Sequence, residues 1–161
     1  MRNVEPQIQD LIKTRGLNGK LVIDFDGLEF FGSPENTTVI FMKLKESGPA
    51  YELLQDINHL LIQAALDNQI LEKYELSHVR LNKKTQRYEL EQLHCSLVNC
   101  SWGQGQLMKI RGRREFIGKE ILENNLDLAF EPVVCDTIEL STRHHYDAHT
   151  GFYLSQYTIP I

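Results

Sequence analysis

A two-residue alternation of apolar and polar side chains, interrupted by one long helical pattern, restricts the possible folds of this chain more than any other feature. The alternation runs through residues 20–31 and returns in residues 38–44, and turn-forming residues 32–36 separate the two runs. Such alternation predicts strands, and the turn chemistry predicts that the two strands form a hairpin. Gly27 interrupts the first run, where we expect a bulge or bend. Residues 88–100 predict a further strand.

Three segments carry a helical spacing of apolar residues. Residues 6–14 predict a short amphipathic helix, and residues 50–68 predict a long one that starts after Pro49. Residues 118–125 predict a third, short helix, and two closing strands flank residues 147–151. Helices combined with hairpin-linked strands favour an α+β fold with a mainly antiparallel sheet. The length of 161 residues suits a single domain with a full hydrophobic core.

Composition excludes several classes of protein. Apolar residues make up 42% of the chain and charged residues 24%, which is the profile of a packed globular protein rather than a disordered one. The net charge of −5 argues against binding nucleic acid over the whole surface, but it leaves room for a local basic patch. No apolar run is long enough to cross a membrane, and the first residues lack a secretory signal. Cys95 and Cys100 lie in an apolar run where we expect them to behave as small hydrophobic residues, which indicates a reducing compartment, either cytoplasm or nucleus.

The tetrapeptide from His94 to Leu97 is the segment most indicative of chemistry. In a strand, His94 and Ser96 point to one face, while Leu93, Cys95 and Leu97 point to the other, which we expect to be buried. Same-face side chains stand about 7 Å apart along a strand, so an imidazole and a hydroxyl can contact one tetrahedral anion together. Histidine carries a proton near neutral pH, and serine donates a hydrogen bond without adding charge, which suits a phosphate. A short H-x-S pattern also arises by chance in ordinary strands.

The residues around this tetrapeptide resemble the second H-x-[ST] motif of the two-histidine (2H) phosphoesterase superfamily. The resemblance is to the branch that contains the C-terminal domain of activating signal cointegrator 1 complex subunit 1 and the A-kinase anchor protein 7-like phosphoesterase domain. It covers nearly the whole chain, because five segments are similar to family motifs in the same order: 27–31 with 39–44, 93–99, 116–122, 138–143 and 151–153. It implies an α+β fold of the RNA ligase/cyclic phosphodiesterase-like type.

The superfamily has two H-x-[ST] motifs that face each other across a cleft, where one histidine accepts a proton and the other donates one to the leaving oxygen. This sequence shows the second motif alone, and we expect part of the first lobe, with its motif, to be missing. Each acid or base contributes about 10²–10⁴-fold to the rate, so the resemblance implies a weak or inactive enzyme with His94 and Ser96 in the catalytic positions. Ile117 also departs from the family, which has aspartate at this position.

The densest positive segment of the chain follows the motif strand. It consists of four basic residues with an aromatic residue ahead of them: Lys109, Arg111, Arg113 and Arg114, preceded by Trp102. One interpretation is a solvated loop. The other is a surface that contacts RNA phosphates while Trp102 stacks on a base, and that Lys83, Lys84 and Arg87 would extend.

The other histidines do not supply a second motif. His59 lies on the predicted long helix between apolar positions, and His78 has no hydroxyl residue two positions later. His144, His145 and His149 crowd a predicted hairpin loop and could suggest a metal site, but loop histidines without a cysteine or carboxylate frame are usually solvated. We therefore expect no metal site, and no other cofactor.

Three functions are compatible with these features. The leading one is a 2H phosphoesterase-like domain that binds RNA or a nucleotide phosphate beside His94 and works with other subunits of a cointegrator-type complex. For that function the resemblance implies transcription coactivation, a response to alkylated DNA and a nuclear address, with the cytoplasm as a second location. The second function is an active phosphodiesterase on 2′,3′-cyclic or 2′,5′-linked RNA ends, with a second chain or further sequence supplying the other histidine. The third is a protein-binding scaffold, and none of the three involves a membrane.

Overall fold

The fold is seen in a computed structural model that describes residues 4–70, 79–90, 92–99 and 116–161, without the side chains of residues 143 and 144. In chain order the elements are α1 (Glu5–Arg15), β1 (Leu21–Ile23), β2 (Phe25–Ser33), β3 (Asn36–Leu44), α2 (Pro49–Asp67), β4 (Val79–Asn82), β5 (Arg87–Leu90), β6 (His94–Asn99), α3 (Lys119–Glu123), β7 (Val133–Cys135), β8 (Thr137–Tyr146) and β9 (Tyr153–Pro160). Every pair of these strands is antiparallel. The expected α+β class with antiparallel pairing is therefore confirmed. None of the described helices is both long and apolar enough to span a bilayer.

The first of two compact units contains α1, α2 and three two-stranded sheets. It spans Met1–Ile23, Ser47–Leu90 and Val133–Ile161, and its sheets are β1 with β7, β4 with β5, and β8 with β9. Ile8 and Ile12 lie one turn apart on α1, and Leu53 and Ile57 lie one turn apart on α2. Residues four apart on a helix share a face, so each helix presents an apolar stripe. The two stripes pack in one buried cluster, which Ile159 of β9 joins.

A network of ion pairs in this unit joins both helices to β5. Arg87 Nη1 lies 2.7 Å from Asp56 Oδ1, and Nη2 lies 3.0 Å from Glu52 Oε2 and 3.3 Å from Glu89 Oε1. Arg15 of α1 binds the second oxygen of Asp56. Burial alone would raise the pKa of Asp56, but the hydrogen bonds from Arg87 and Arg15 outweigh it and hold that pKa below its ordinary 3.8. Three carboxylates thus bind Arg87 and compensate its charge within this unit, and its extension of a basic RNA surface stays a prediction.

The second unit is a three-stranded sheet with a short helix. It spans Asp24–Glu46 and Glu91–Pro132, and its strand order is β2-β3-β6. The central strand β3 supplies most of the buried residues, and Phe41 is 0% exposed. Thr37 at the start of β3 exchanges two main-chain hydrogen bonds with Phe116, which tie the approach to α3 to the sheet.

Two of the predicted strands each turned out to be two strands. The run at 20–31 breaks at Asp24: β1 pairs with β7 in the first unit, and β2 pairs with β3 in the second. The run at 88–100 likewise divides into β5 and β6, which pair with β4 and β3. In both places the chain passes from one unit to the other, and alternation does not reveal such a change of partner because each strand keeps the same period. Gly27 has a φ of 78° beside a register shift, so the predicted bulge is confirmed.

The helices and turns agree closely with the sequence. The long helix begins at Pro49 and ends at Asp67, and the hairpin turns at 33–36 and 82–87 lie where turn residues cluster. The three-residue strand β7 was not predicted, because so short a run carries no measurable period. The expectation of a single domain stays a prediction.

Candidate functional site

β6 carries His94 and Ser96 on one face of the three-stranded sheet. In the ladder with β3, His94 lies opposite Lys43 and Ser96 lies opposite Phe41, without a register shift between the two pairs. Residues directly opposite each other share a face, and successive residues along a strand alternate between faces. The imidazole and the hydroxyl therefore project from the same face, and both residues are exposed.

Two phenyl rings pack against the imidazole of His94. The ring of Phe31 lies 5.1 Å from it at an interplanar angle of 87°, and the ring of Phe41 lies 5.1 Å from it at 55°. The phenyl rings also contact each other, with centroids 4.7 Å apart. Aromatic pairs prefer such edge-on and tilted contacts. The three strands thus each contribute one ring to the cluster that positions His94.

A main-chain contact favours one tautomer of His94. Its Nδ1 lies 3.4 Å from the carbonyl oxygen of Gln92. Because a carbonyl oxygen only accepts hydrogen bonds, this contact favours the tautomer with the proton on Nδ1. In that tautomer Nε2 is the ring nitrogen without a hydrogen atom, and Nδ1 is the nitrogen that contacts the main chain.

Lys43 is a charged residue on this face that the sequence analysis included in the family-like segment 39–44 but did not name as a site residue. It lies directly opposite His94, and its Nζ is 3.2 Å from Oε2 of Glu29 on β2. Direct contact with the Glu29 carboxylate, and then its charge, raises the pKa of Lys43 above the ordinary 10.5. The residue is therefore a cation at neutral pH. The available signal was its alternation with Phe41 along β3, which places it on the same face as that ring.

The opposite face of β6 is not buried, contrary to the prediction. Cys95 is exposed, and Leu97 and Val98 are 51% and 43% exposed. The ladder shifts register between Ile40 and Phe41, which places Leu97 in a bulge. β6 is also the last strand in the order β2-β3-β6. Among the described strands β6 thus has one neighbour, and a bulged strand with one neighbour has less packing than the central strand that the alternation alone implies.

The basic residues predicted to contact RNA lie outside the described part of the chain. Lys109, Arg111, Arg113, Arg114 and Trp102 all belong to residues 100–115, as does Cys100. Their proposed roles stay predictions. Ile117 lies within the described residues and is 67% exposed.

The described histidines other than His94 lie elsewhere. His59 accepts a hydrogen bond on Nδ1 from the main-chain amide of Tyr88 at 3.1 Å, and its ring packs against the Tyr88 ring at 5.8 Å. This histidine therefore has a structural role between α2 and β5. His145 on β8 and His149 in the following turn are exposed. Within the described ranges, no three His, Cys, Asp or Glu side chains come together in the manner of metal ligands.

The antiparallel α+β fold, with His94 and Ser96 on one strand, is consistent with a 2H phosphoesterase-like domain. The comparison with protein families identifies the family within that class: the model described as the AKAP7 2′5′ RNA ligase-like domain matches residues 1–161. The chain belongs to this family. A comparison with curated proteins found no match.

Proposed function

We propose that this 2H phosphoesterase-like domain binds the phosphate of RNA or of a nucleotide on the sheet face that carries His94. The observation that carries the proposal is the joint exposure of His94 and Ser96 on one face of β6. A protonated imidazole donates to an anionic oxygen and offsets its charge, and the serine hydroxyl donates to a second oxygen. One phosphate group satisfies both donors.

The packing around His94 supports this proposal. Phe31 and Phe41 hold the ring from one side, and the Gln92 carbonyl favours a proton on Nδ1. A side chain that is already oriented loses less conformational entropy when a ligand binds. The residue is therefore better suited to anion binding than an exposed histidine without neighbours.

We expect turnover to be weak or absent. Only His94 in this sequence is followed two positions later by Ser or Thr. Cleavage of a phosphodiester by the superfamily scheme needs a general base and a general acid, and each contributes about 10²–10⁴-fold. A site with one imidazole can still bind an anion, but it lacks the second group that the reaction needs, so we expect it to accelerate cleavage little.

Binding of adenosine 5′-monophosphate to the whole chain, measured by titration calorimetry, tests the proposal. The loss of a charge-assisted hydrogen bond predicts binding weaker by roughly tenfold or more for His94→Ala, and by several-fold for Ser96→Ala. Cys95→Ser, on the opposite face of the same strand, is the matched control and should bind as the wild type does. Equal affinities for the wild type and His94→Ala would contradict the proposal. A folded chain that binds no nucleotide would instead favour the protein-binding scaffold.

An active phosphodiesterase on 2′,3′-cyclic or 2′,5′-linked RNA ends is the second candidate. The RNA ligase-like description of the matching family favours it. It requires a second imidazole, which a symmetric dimer of the chain can supply because each copy contributes the same residue. Turnover of a 2′,3′-cyclic nucleotide that rises more than linearly with protein concentration, and that His94→Ala abolishes, would support this candidate. Absence of turnover over a wide concentration range leaves the binding function.

We also infer a nuclear role within a cointegrator-type complex, in transcription coactivation and the response to alkylated DNA. Support comes from the motif resemblance and, for the address, from the name of the matching family model, which contains the abbreviation NLS for nuclear localisation signal. Microscopy of a fluorescent fusion and co-purification of tagged chain test these two parts separately. A purely cytoplasmic signal would contradict the address, and purification without cointegrator subunits would contradict the complex.

A further inference from the structure

The ion pair between Lys43 and Glu29 lies on the His94 face, and the proposed function does not use it. Lys43 is opposite His94 in the β3–β6 ladder, and Glu29 is opposite Phe41 in the β2–β3 ladder. Since Phe41 and Lys43 are two residues apart on β3, all four side chains project from one face. This face therefore carries a cation and a carboxylate in addition to the imidazole and the hydroxyl.

We infer that Lys43 is a specificity-determining residue of the phosphate site: its ammonium binds the anion beside His94, and Glu29 competes with the anion for that ammonium. The inference rests on the proposed function, because it concerns the same anion. It adds a second cationic ligand and a built-in competitor, neither of which the H-x-S motif contains.

The exposure of the pair makes this exchange possible. The side chains of Lys43 and Glu29 are 35% and 40% exposed, and their charged atoms are 3.2 Å apart. Ion pairs with this much solvent access contribute little free energy, because water screens them and the long side chains lose entropy. An arriving phosphate that takes the ammonium leaves the shielded Oε2 of Glu29 without its charged partner, so the anion has to offset that cost through its contact with His94. A flexible four-carbon stem also allows the ammonium to move toward a new partner.

The environment of Glu29 explains why the ammonium stays on the sheet surface when no anion is bound. The Oε2 atom of Glu29 is shielded from water, and Lys43 is its charged partner. A shielded carboxylate oxygen is costly without a compensating charge, so it retains the ammonium nearby. The acidic side chains of Asp26 and Glu46 also act on Lys43 through their charge. These carboxylates oppose general anion binding, so we expect the site to prefer an anion that also contacts His94.

Two substitutions with opposite expected effects test the inference, with inorganic phosphate as the probe and titration calorimetry on the whole chain as the measurement. Lys43→Met should weaken phosphate binding by roughly fivefold to tenfold, because it removes one charge-assisted contact. Glu29→Gln should strengthen binding by about threefold or more, because it removes the competitor and a repulsive charge. Lys43→Arg retains the charge and should retain most of the affinity.

The chain offers a matched control pair in the same unit. Lys119 and Glu123 on α3 form an exposed ion pair at 3.8 Å. Lys119→Met and Glu123→Gln make the same changes of charge as Lys43→Met and Glu29→Gln, but on α3. Each should leave the affinity for phosphate within about twofold of that of the wild type. Far-UV circular dichroism verifies that each variant is folded.

The possible results separate this inference from the proposed function. Phosphate binding that His94→Ala abolishes but that Lys43→Met and Glu29→Gln leave unchanged overturns the role of Lys43 and retains the site. Weaker binding by Glu29→Gln overturns the competition, since the carboxylate would then assist the anion. If Lys119→Met and Glu123→Gln change the phosphate affinity as much as Lys43→Met and Glu29→Gln do, the inference is also overturned. The affinity would then depend on the net charge of the chain rather than on the position of Lys43. A wild-type chain that binds no phosphate overturns both proposals.

Discussion

The imidazole of His94 on β6 meets the phenyl ring of Phe31 on β2 edge-on, with ring centroids 5.1 Å apart and planes at 87°. These strands are not neighbours, since β3 lies between them. The orientation of the site histidine is therefore set by residues from all three strands of the sheet rather than by the H-x-S motif alone.

Truncation of Phe31 should destabilise the sheet and also leave the imidazole of His94 less firmly oriented. We expect Phe31→Ala to lower the free energy of unfolding by about 2 kcal/mol, since the ring is only partly buried, and to weaken nucleotide binding several-fold. Phe30→Ala is the control, because Phe30 is partly buried on the opposite face of the same strand. It should destabilise the chain without changing the affinity of the folded fraction. Equal effects of both variants on affinity would disprove the positioning role of Phe31.

Among substitutions of charged residues in the first unit, we expect removal of Arg87 to lower the free energy of unfolding most. Its side chain is 18% exposed and binds Asp56, Glu52 and Glu89. Arg87→Met leaves these carboxylates without their shared cation, which we expect to cost about 2–4 kcal/mol in urea denaturation. Arg80 also binds Glu89 but is 71% exposed, and Arg80→Met should cost less than about 1 kcal/mol. A smaller loss for Arg87→Met than for Arg80→Met would contradict the network.

The same carboxylates predict an acid-sensitive fold. Contacts with the arginines hold the pKa of Asp56 below 3.8 despite its burial, and the Asn82 amide, followed by Arg80 and Arg87, lowers the pKa of Glu89 below 4.5. The folded state then binds fewer protons than the unfolded state, so this stability is fully present above the unfolded pKa values and is lost as the pH falls through the folded ones. Urea midpoints measured from pH 7 to pH 3 should decline below about pH 4.5. The decline should be shallower for Asp56→Asn, and an unchanged slope would refute the linkage.

Gly118, beside the departure at Ile117, should not tolerate a side chain. A Cβ at this position would overlap Oγ1 of Thr37, which is fully buried and donates a hydrogen bond to the carbonyl of Ser33 at 2.8 Å. Gly118→Ala should therefore cost about 1–3 kcal/mol in thermal or urea unfolding. Ile117→Ala changes an exposed residue and should stay within about 0.5 kcal/mol of the wild type. Similar stabilities for the two variants would show that Thr37 moves aside.

The elements with a strong period could be predicted from the sequence, and those that depend on tertiary partners could not. The long helix at Pro49–Asp67 and the β2–β3 hairpin followed from apolar spacing and turn residues. The division of residues 88–100 into two strands could not be predicted, because both halves keep the same alternation while their partners differ.

The candidate site likewise has features that could be predicted from the sequence and features that could not. The shared face of His94 and Ser96 follows from the geometry of any strand. The exposure of Cys95 depends on the position of β6 at the end of the described strand order, and the place of Lys43 depends on the β3–β6 register. Register between segments about fifty residues apart is a tertiary property, which no local pattern encodes.

The most direct test of the central claim is a phosphate titration of isotope-labelled chain followed by two-dimensional NMR. If His94 and Ser96 bind one anion, the imidazole signals of His94 and the amide signal of Ser96 should shift together with one dissociation constant, and His94→Ala should abolish the Ser96 shift. Shifts confined to other parts of the chain, or a Ser96 shift that persists in His94→Ala, would contradict the account.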